Sequence, residues 1–173
     1  AFVSTLQVSA NIYTTGTSNI IIHTPDLTGK YVAIGHKAGA SFRDGSFGTV
    51  AIGSVAGLEY QSEYAISIGA GAGTSTQERQ SVAIGFRAAN SFQKSNSVAI
   101  GTDAGFKNQN TASVAIGHQA GNTAQNAQSV AIGQNAGLWG QRSNSVALGA
   151  QTGQSFQGEN AVAIGYRAGR TNQ

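Results

Sequence analysis

The sequence predicts an all-β fold, a parallel β-roll or β-solenoid of nine stacked 16-residue coils, and three observations support this prediction. A Val-Ala-Ile-Gly core recurs along residues 31–173 at nearly constant spacing. The positions of the repeat separate into columns of like chemistry. Charged residues make up only 10% of the chain and avoid the Val, Ala and Ile columns. A short repeat with this pattern is typical of coils that stack on one another.

The spacing of the repeat glycine defines the coil. This glycine stands at Gly35, Gly53, Gly69, Gly85, Gly101, Gly117, Gly133, Gly149 and Gly165. Every step from Gly53 onward is the same (165 − 149 = 16), and only the first is longer (53 − 35 = 18). The longer step places a short insertion around Arg43–Gly48. A register kept over so many intervals indicates one structural unit used repeatedly.

The columns indicate two short strands per coil. The residues three and one before the glycine are Val, Ile or Leu, and the residue between them is Ala in all copies but Ser67. Because side chains alternate across a strand, Val and Ile share one face and Ala and Gly share the other. An Ala-Gly pair follows at a predicted corner. Glutamine stands eight positions after the glycine in all copies but the first, and we interpret this column as a ladder of amide hydrogen bonds in a second strand.

A coil of two short walls is too thin to bury its own aliphatic residues. If the Ala/Gly face lines the lumen, about eighteen large aliphatic side chains point outward, each worth ~1.5–3 kcal/mol when buried. The reverse assignment leaves a small-residue face that also favours close packing. Both assignments predict association through the Val-Ala-Ile strand. The central members of the predicted interface are Val82, Ile84, Val98, Ile100, Val114, Ile116, Val130 and Ile132.

Residues 1–30 lack the repeat and form a predicted N-terminal β cap or connector. Short strands are expected over Ala1–Val8, Asn11–Thr15 and Ser18–His23, and Pro25, the single proline, suits the junction. Such a segment would shield the open edge of the first coil.

Composition argues against several functions. The net charge of +3 comes from scattered residues and not from a basic run, so no nucleic-acid binding is expected. No cysteine is present, and no apolar run reaches the ~18 residues of a membrane span. His36 and His118 lie five coils apart, roughly 24 Å, and cannot share a metal within one chain. We predict no metal, no cofactor and no catalytic residues.

Four residues are the predicted ligand contacts. Trp139 and the insertion that contains Arg43 and Phe47 break the repeat, and Phe106 is an aromatic at a predicted corner. Aromatic side chains beside polar ones can stack on sugars or anchor protein partners.

The run Ser-Val-Ala-Ile-Gly recurs at Ser81–Gly85, Ser97–Gly101, Ser113–Gly117 and Ser129–Gly133, and Asn stands before the serine at Asn96 and Asn144. This motif resembles the head repeats of trimeric autotransporter adhesins, the YadA-like head. The resemblance covers about residues 31–173. It implies a left-handed parallel β-roll whose three chains associate through their inner strands. The 16-residue period and the distal Gln depart from the usual shorter repeat, and similar variants resemble segments of viral and phage fibres.

Two functions are expected. The first is an adhesive segment of a trimeric surface fibre that binds a host-surface glycan or a matrix protein by multivalent contacts. The second is a passive spacer in a viral or phage fibre that carries another domain. A catalytic solenoid ranks third, because the columns supply no convergent acids or bases. The expected location is the cell surface, anchored in the outer membrane by other sequence, or the surface of a virion.

Overall fold

A computed structural model describes residues 12–13, 19–23, 31–41 and 47–172. These residues form sixteen β-strands: β1 Ile12–Tyr13, β2 Asn19–His23, β3 Tyr31–Ile34, β4 Thr49–Ile52, β5 Glu59–Gln61, β6 Ile66–Ile68, β7 Ser75–Gln77, β8 Val82–Ile84, β9 Ser91–Gln93, β10 Val98–Ile100, β11 Lys107–Gln109, β12 Val114–Ile116, β13 Thr123–Gln125, β14 Val130–Ile132, β15 Val146–Leu148 and β16 Val162–Ile164. They build a parallel β-solenoid of about eight turns, as predicted. The nine strands of the Val-Ala-Ile repeat, β3 to β16, are separated by eight passages through the opposite wall, so nine copies make about eight turns.

The solenoid has two walls. One wall is the parallel run β3-β4-β6-β8-β10-β12-β14-β15-β16, in which every Val-Ala-Ile segment pairs with its equivalent in the next coil. We call it the inner wall, after the inner strands through which the chains of the trimeric repeat are expected to associate, and we call the opposite wall the outer wall. The outer wall is the sheet β13-β11-β9-β7-β5. Single bridges at Ser41, Trp139, Ser155 and Thr171 extend this wall to the remaining coils. Each coil is therefore strand, corner, strand, corner.

The lumen is filled by alanine and glutamine. The Ala column of the inner wall is almost fully buried, from Ala33 to Ala163. The Gln column of the outer wall, from Gln61 to Gln157, contains the largest fully buried side chains among the described residues. The structure thus decides between the two assignments left open by the sequence: Ala faces the lumen and Val and Ile face outward.

The glutamine column is the predicted ladder. Gln109 Nε2 donates to the carbonyl oxygens of Val98 at 2.8 Å and Ser113 at 3.4 Å. It also donates to Oε1 of Gln125 at 3.3 Å, and Gln109 Oε1 accepts from Gln93 Nε2 at 3.1 Å. Each amide from Gln61 to Gln157 joins the two walls, and from Gln77 to Gln157 the amides also link each coil to the next.

We expect Gln109→Leu to destabilise the protein by about 2–4 kcal/mol, because the change removes several buried hydrogen bonds and leaves polar partners unsatisfied. The urea midpoint of unfolding measures the loss. Gln128→Leu at an exposed corner is the control. An equal loss in both variants would contradict a structural role for the ladder.

The corners require left-handed backbone. The residue two after the repeat glycine has a φ near +55°, as at Arg87 (51°), Asp103 (54°) and Gln119 (56°). The residue seven after it is also left-handed, although it lies in the middle of an outer strand, as at Thr76 (49°) and Phe92 (59°). These residues turn the chain tightly enough to complete each coil within one repeat.

The N-terminal strands continue the inner wall in the opposite direction. β2 pairs antiparallel with β3, with Ile20 opposite Ile34 and His23 opposite Tyr31. β1 pairs antiparallel with β2. Two of the strands expected in residues 1–30 are thus present, and the one expected at Ala1–Val8 lies outside the described residues. The division at residue 30 and the capping role stay predictions.

Candidate functional site

The first candidate surface is the aliphatic face, which consists of the residues three and one before the repeat glycine. Its central members, Val82, Ile84, Val98, Ile100, Val114, Ile116, Val130 and Ile132, are all half-buried. Stacking covers the sides of these chains but not their outer ends. Leu148, Val162 and Ile164 are more exposed, at 41%, 57% and 63%. The face is therefore a continuous apolar stripe of the kind that soluble monomers rarely expose.

The residue after the repeat glycine extends this face, because it alternates outward with Val and Ile. Phe86 and Tyr166 occupy this position and are 52% and 68% exposed. His36 and His118 occupy it too and are exposed. Within the described residues, no group of three or more His, Cys, Asp or Glu side chains could hold a metal ion.

The second candidate surface is the outer wall with its corners, where three of the predicted contact residues lie. Trp139 is 48% exposed and Phe47 is 39% exposed, and they belong to coils at opposite ends of the described solenoid. Phe106 is half-buried in a middle coil. Arg43 lies outside the described residues. The structure does not bring these residues into one site, and their ligand-binding role stays a prediction.

Phe106 belongs to a cation cluster that the sequence did not reveal. The guanidinium of Arg87 lies 5.0 Å from the ring centre of Phe86 and 5.2 Å from that of Phe106. Arg87 also contacts both carboxylate oxygens of the buried Asp103 at 2.8 Å. Lys107 Nζ lies 5.5 Å from the Phe106 ring. The signal in the sequence was the separation of Arg87 and Asp103 by one repeat, which stacks opposite charges in adjacent coils.

Other charges are paired along the solenoid in the same way. Lys94 Nζ lies 2.7 Å from Glu78 Oε1, and Arg79 lies 3.5 Å from Glu63. Partial burial raises the pKa of Glu78, but hydrogen bonds from Lys94 and Ser95 and the charge of Lys94 outweigh burial and hold this pKa below its ordinary value. The carboxylate is therefore ionised at neutral pH and pairs with the lysine of the next coil.

The part of the chain that the structure describes contains no helix with the length and apolarity of a membrane span. A stack of coils with an alanine and glutamine lumen, an apolar stripe on one wall and paired polar side chains elsewhere defines a β-solenoid repeat protein. Its architecture is structural rather than catalytic.

The family model described as the YadA head domain repeat matches two stretches, residues 109–136 and 157–168. No curated protein and no solved structure matches the chain. The chain carries YadA-like head repeats, as the Ser-Val-Ala-Ile-Gly motif indicated. The repeat suggests an adhesin-like role, and the family that has this repeat is typically homotrimeric and implies a cell-surface location.

Proposed function

We propose that this chain is the adhesive segment of a homotrimeric surface fibre, that it is not an enzyme, and that it binds a host-surface or matrix ligand by multivalent contacts. The observation that carries the proposal is the aliphatic face. It runs the length of the solenoid, and the alanine and glutamine lumen leaves no room to turn it inward.

Energetics favour association over an isolated chain. The buried hydrophobic residues among those described are all alanines, and alanine contributes little apolar area. The aliphatic face offers much more, at about 1 kcal/mol for the exposed half of each side chain. Three chains that meet through this face would share one apolar core, and their outer walls would stay in water. Anchoring in an outer membrane or on a virion would come from other sequence.

Threefold repetition would give adhesion its strength. Each ligand contact appears three times in a trimer, so avidity can exceed single-site affinity by orders of magnitude without any strong individual contact. The neutral surface of Ser, Thr, Asn and Gln suits weak and reversible contacts of this kind.

A passive spacer in a viral or phage fibre is the second candidate, and the pairing of charges along the coils favours it. Arg87, Lys94 and Arg79 bind acidic partners one coil away, and therefore stabilise the stack. A spacer needs no more than this.

Deletion of residues 102–133 separates the two functions. The deletion removes two whole coils, joins Gly101 to Gln134 and keeps Trp139. We expect a folded rod that is roughly 10 Å shorter. If the segment is adhesive, beads that carry the shortened chain should bind cultured cells or matrix-coated surfaces more weakly than beads that carry the full chain. Absence of binding by the full chain would favour the spacer, whereas undiminished binding by the shortened one would place the ligand contacts outside the deleted coils.

A further inference from the structure

Two exposed aromatic side chains come from adjacent positions of neighbouring coils on the outer wall. Trp139 is 48% exposed and Phe156, in the next coil, is 68% exposed. The backbone N–H of Phe156 donates to the carbonyl oxygen of Trp139 at 2.8 Å, and Ser155 forms a parallel bridge with Trp139. The two side chains therefore start one coil and one column apart. We call this pair the aromatic platform.

Gly140 makes room for the platform. A Cβ at this position would lie 3.0 Å from Cδ1 and 3.4 Å from Cε1 of Phe156. The Phe156 ring thus occupies the space where a side chain of residue 140 would begin, next to Trp139. The other members of this column, seven positions after the repeat glycine, are Phe42, Tyr60, Thr76, Phe92, Asn108, Ala124, Phe156 and Asn172.

The same construction recurs at another corner near the start of the solenoid. Phe47 precedes Gly48, and Tyr64 stands one coil after that glycine (64 − 48 = 16). A Cβ at Gly48 would lie 2.9 Å from Cδ1 of Tyr64, which is 56% exposed. An aromatic-glycine pair followed one coil later by an aromatic residue is therefore a repeated way of presenting two rings to solvent.

The platform stays accessible in a trimer. From the outer wall Gln141 points into the lumen, where its Nε2 donates to the carbonyl oxygen of Val130 on the inner wall at 2.7 Å. The exposed rings of this wall therefore lie on the side of the solenoid opposite the aliphatic face. Association through the aliphatic face would leave them in water.

The size and surroundings of the platform indicate its ligand. Two aromatic side chains bury about 150–250 Å² each, and these two are only partly exposed. The area falls well short of the ~800 Å² that each partner contributes to a stable protein interface. Half-buried Thr123 and Ser155 flank Trp139 in its column, and Arg170 Nε donates to Gln154 Oε1 at 3.0 Å nearby. Flat rings within a border of hydroxyl, amide and guanidinium groups suit a ring that has an apolar face and a hydroxylated edge.

We propose that the aromatic platform binds a sugar ring of a glycan chain, with the C–H face of the sugar stacked on Trp139 and Phe156 and its hydroxyl groups bonded to the polar border. The proposal deepens the adhesive function and rests on it for its biological role. The stacking itself requires only the folded solenoid.

Trp139 is the single tryptophan of the chain, so tryptophan fluorescence, excited at a wavelength that tyrosine does not absorb, reports this site alone. We expect a saturable change in its emission on titration with at least one of three hexasaccharides, from cellulose, chitin or hyaluronan. Phe156→Ala keeps the reporter and should weaken apparent affinity about tenfold or more. Phe92→Ala is the matched control, because Phe92 holds the same column and is 53% exposed but has no glycine-aromatic neighbour; its affinity should not change.

Two results would overturn the proposal: no emission change with any of the three sugars in a chain whose circular dichroism shows it folded, or equal affinity in Phe156→Ala and the unaltered chain. The bead assay keeps the adhesive function separate. If Phe156→Ala leaves adhesion unchanged, the chain is adhesive but the platform is not its adhesive site. If a sugar binds saturably but the beads do not adhere, the platform binds sugar but the chain is not adhesive.

Discussion

Replacing Gly117 by alanine should destabilise the solenoid severely, although the change adds only one methyl group. A Cβ at this position would lie 2.8 Å from the carbonyl oxygen and 2.9 Å from the carbonyl carbon of Gly133 in the next coil. Both contacts are with backbone, so the coils themselves must separate. The φ of +124° adds strain, because residues with a Cβ rarely adopt this conformation.

The loss should be on the order of 4 kcal/mol or more, from backbone strain and weakened hydrogen bonds between coils. In a solenoid each coil contacts only its neighbours, so a gap at the centre also uncouples the two halves. Urea denaturation followed by circular dichroism measures the change. Gly165→Ala is the control, since its Cβ would meet nothing within 4 Å and its φ of +108° leaves only the strain. Equal losses in the two variants would contradict the close stacking of the repeat glycines.

Replacing Ile116 by glutamate should dissociate the proposed trimer. Ile116 lies at the centre of the aliphatic face, paired in register with Ile100 and Ile132. In a trimer through this face, three carboxylates would be buried together without partners, at a cost of several kcal/mol each. In a separate chain the same glutamate would reach water, so the solenoid should stay folded.

Light scattering with circular dichroism tests this expectation. The variant should have the mass of a single chain and retain the spectrum of the unaltered protein. Thr111→Glu is the control, because Thr111 is exposed on the outer side and its column already holds Glu63 and Glu159. A variant at Ile116 that keeps the parent's trimer mass would show that association uses another surface.

The sequence was sufficient to predict the fold, because each coil repeats one set of steric requirements. The glycine at Gly117 and its equivalents recurs because the next coil's backbone leaves no room for a side chain. The column of Gln109 could be identified as a hydrogen-bonded ladder because a neutral amide can donate to the equivalent amide of one adjacent coil and accept from that of the other. Because the same requirements recur every 16 residues, the spacing also predicts which residues of adjacent coils lie opposite one another.

The pattern alone could not predict whether the Val/Ile face or the Ala/Gly face of the repeat strand points into the lumen. A segment such as Val98-Ala99-Ile100 is apolar on both sides, so alternation fits either orientation. The structure settles the question through Gln93 and Gln109, whose length fills a lumen that has room only for alanine opposite them.

The candidate ligand site was predicted only in part. Trp139 was visible as a break in the repeat, but its neighbour Phe156 looked like an ordinary member of its column. Their adjacency depends on Gly140, whose missing side chain leaves space for the ring. The sequence does contain a signal: Gly140 follows the aromatic residue Trp139, and Phe156 stands 16 residues after Gly140. The partner of Phe106 was missed for a similar reason, since Arg87 reaches it from the coil before.

The central claim is that a solenoid with an alanine and glutamine lumen covers its outward-facing Val and Ile side chains by association with two sister chains. Mass measured by multi-angle light scattering tests it most directly. The predicted result is three times the 17.6 kDa mass of the single chain. A folded, soluble particle of 17.6 kDa would contradict the account.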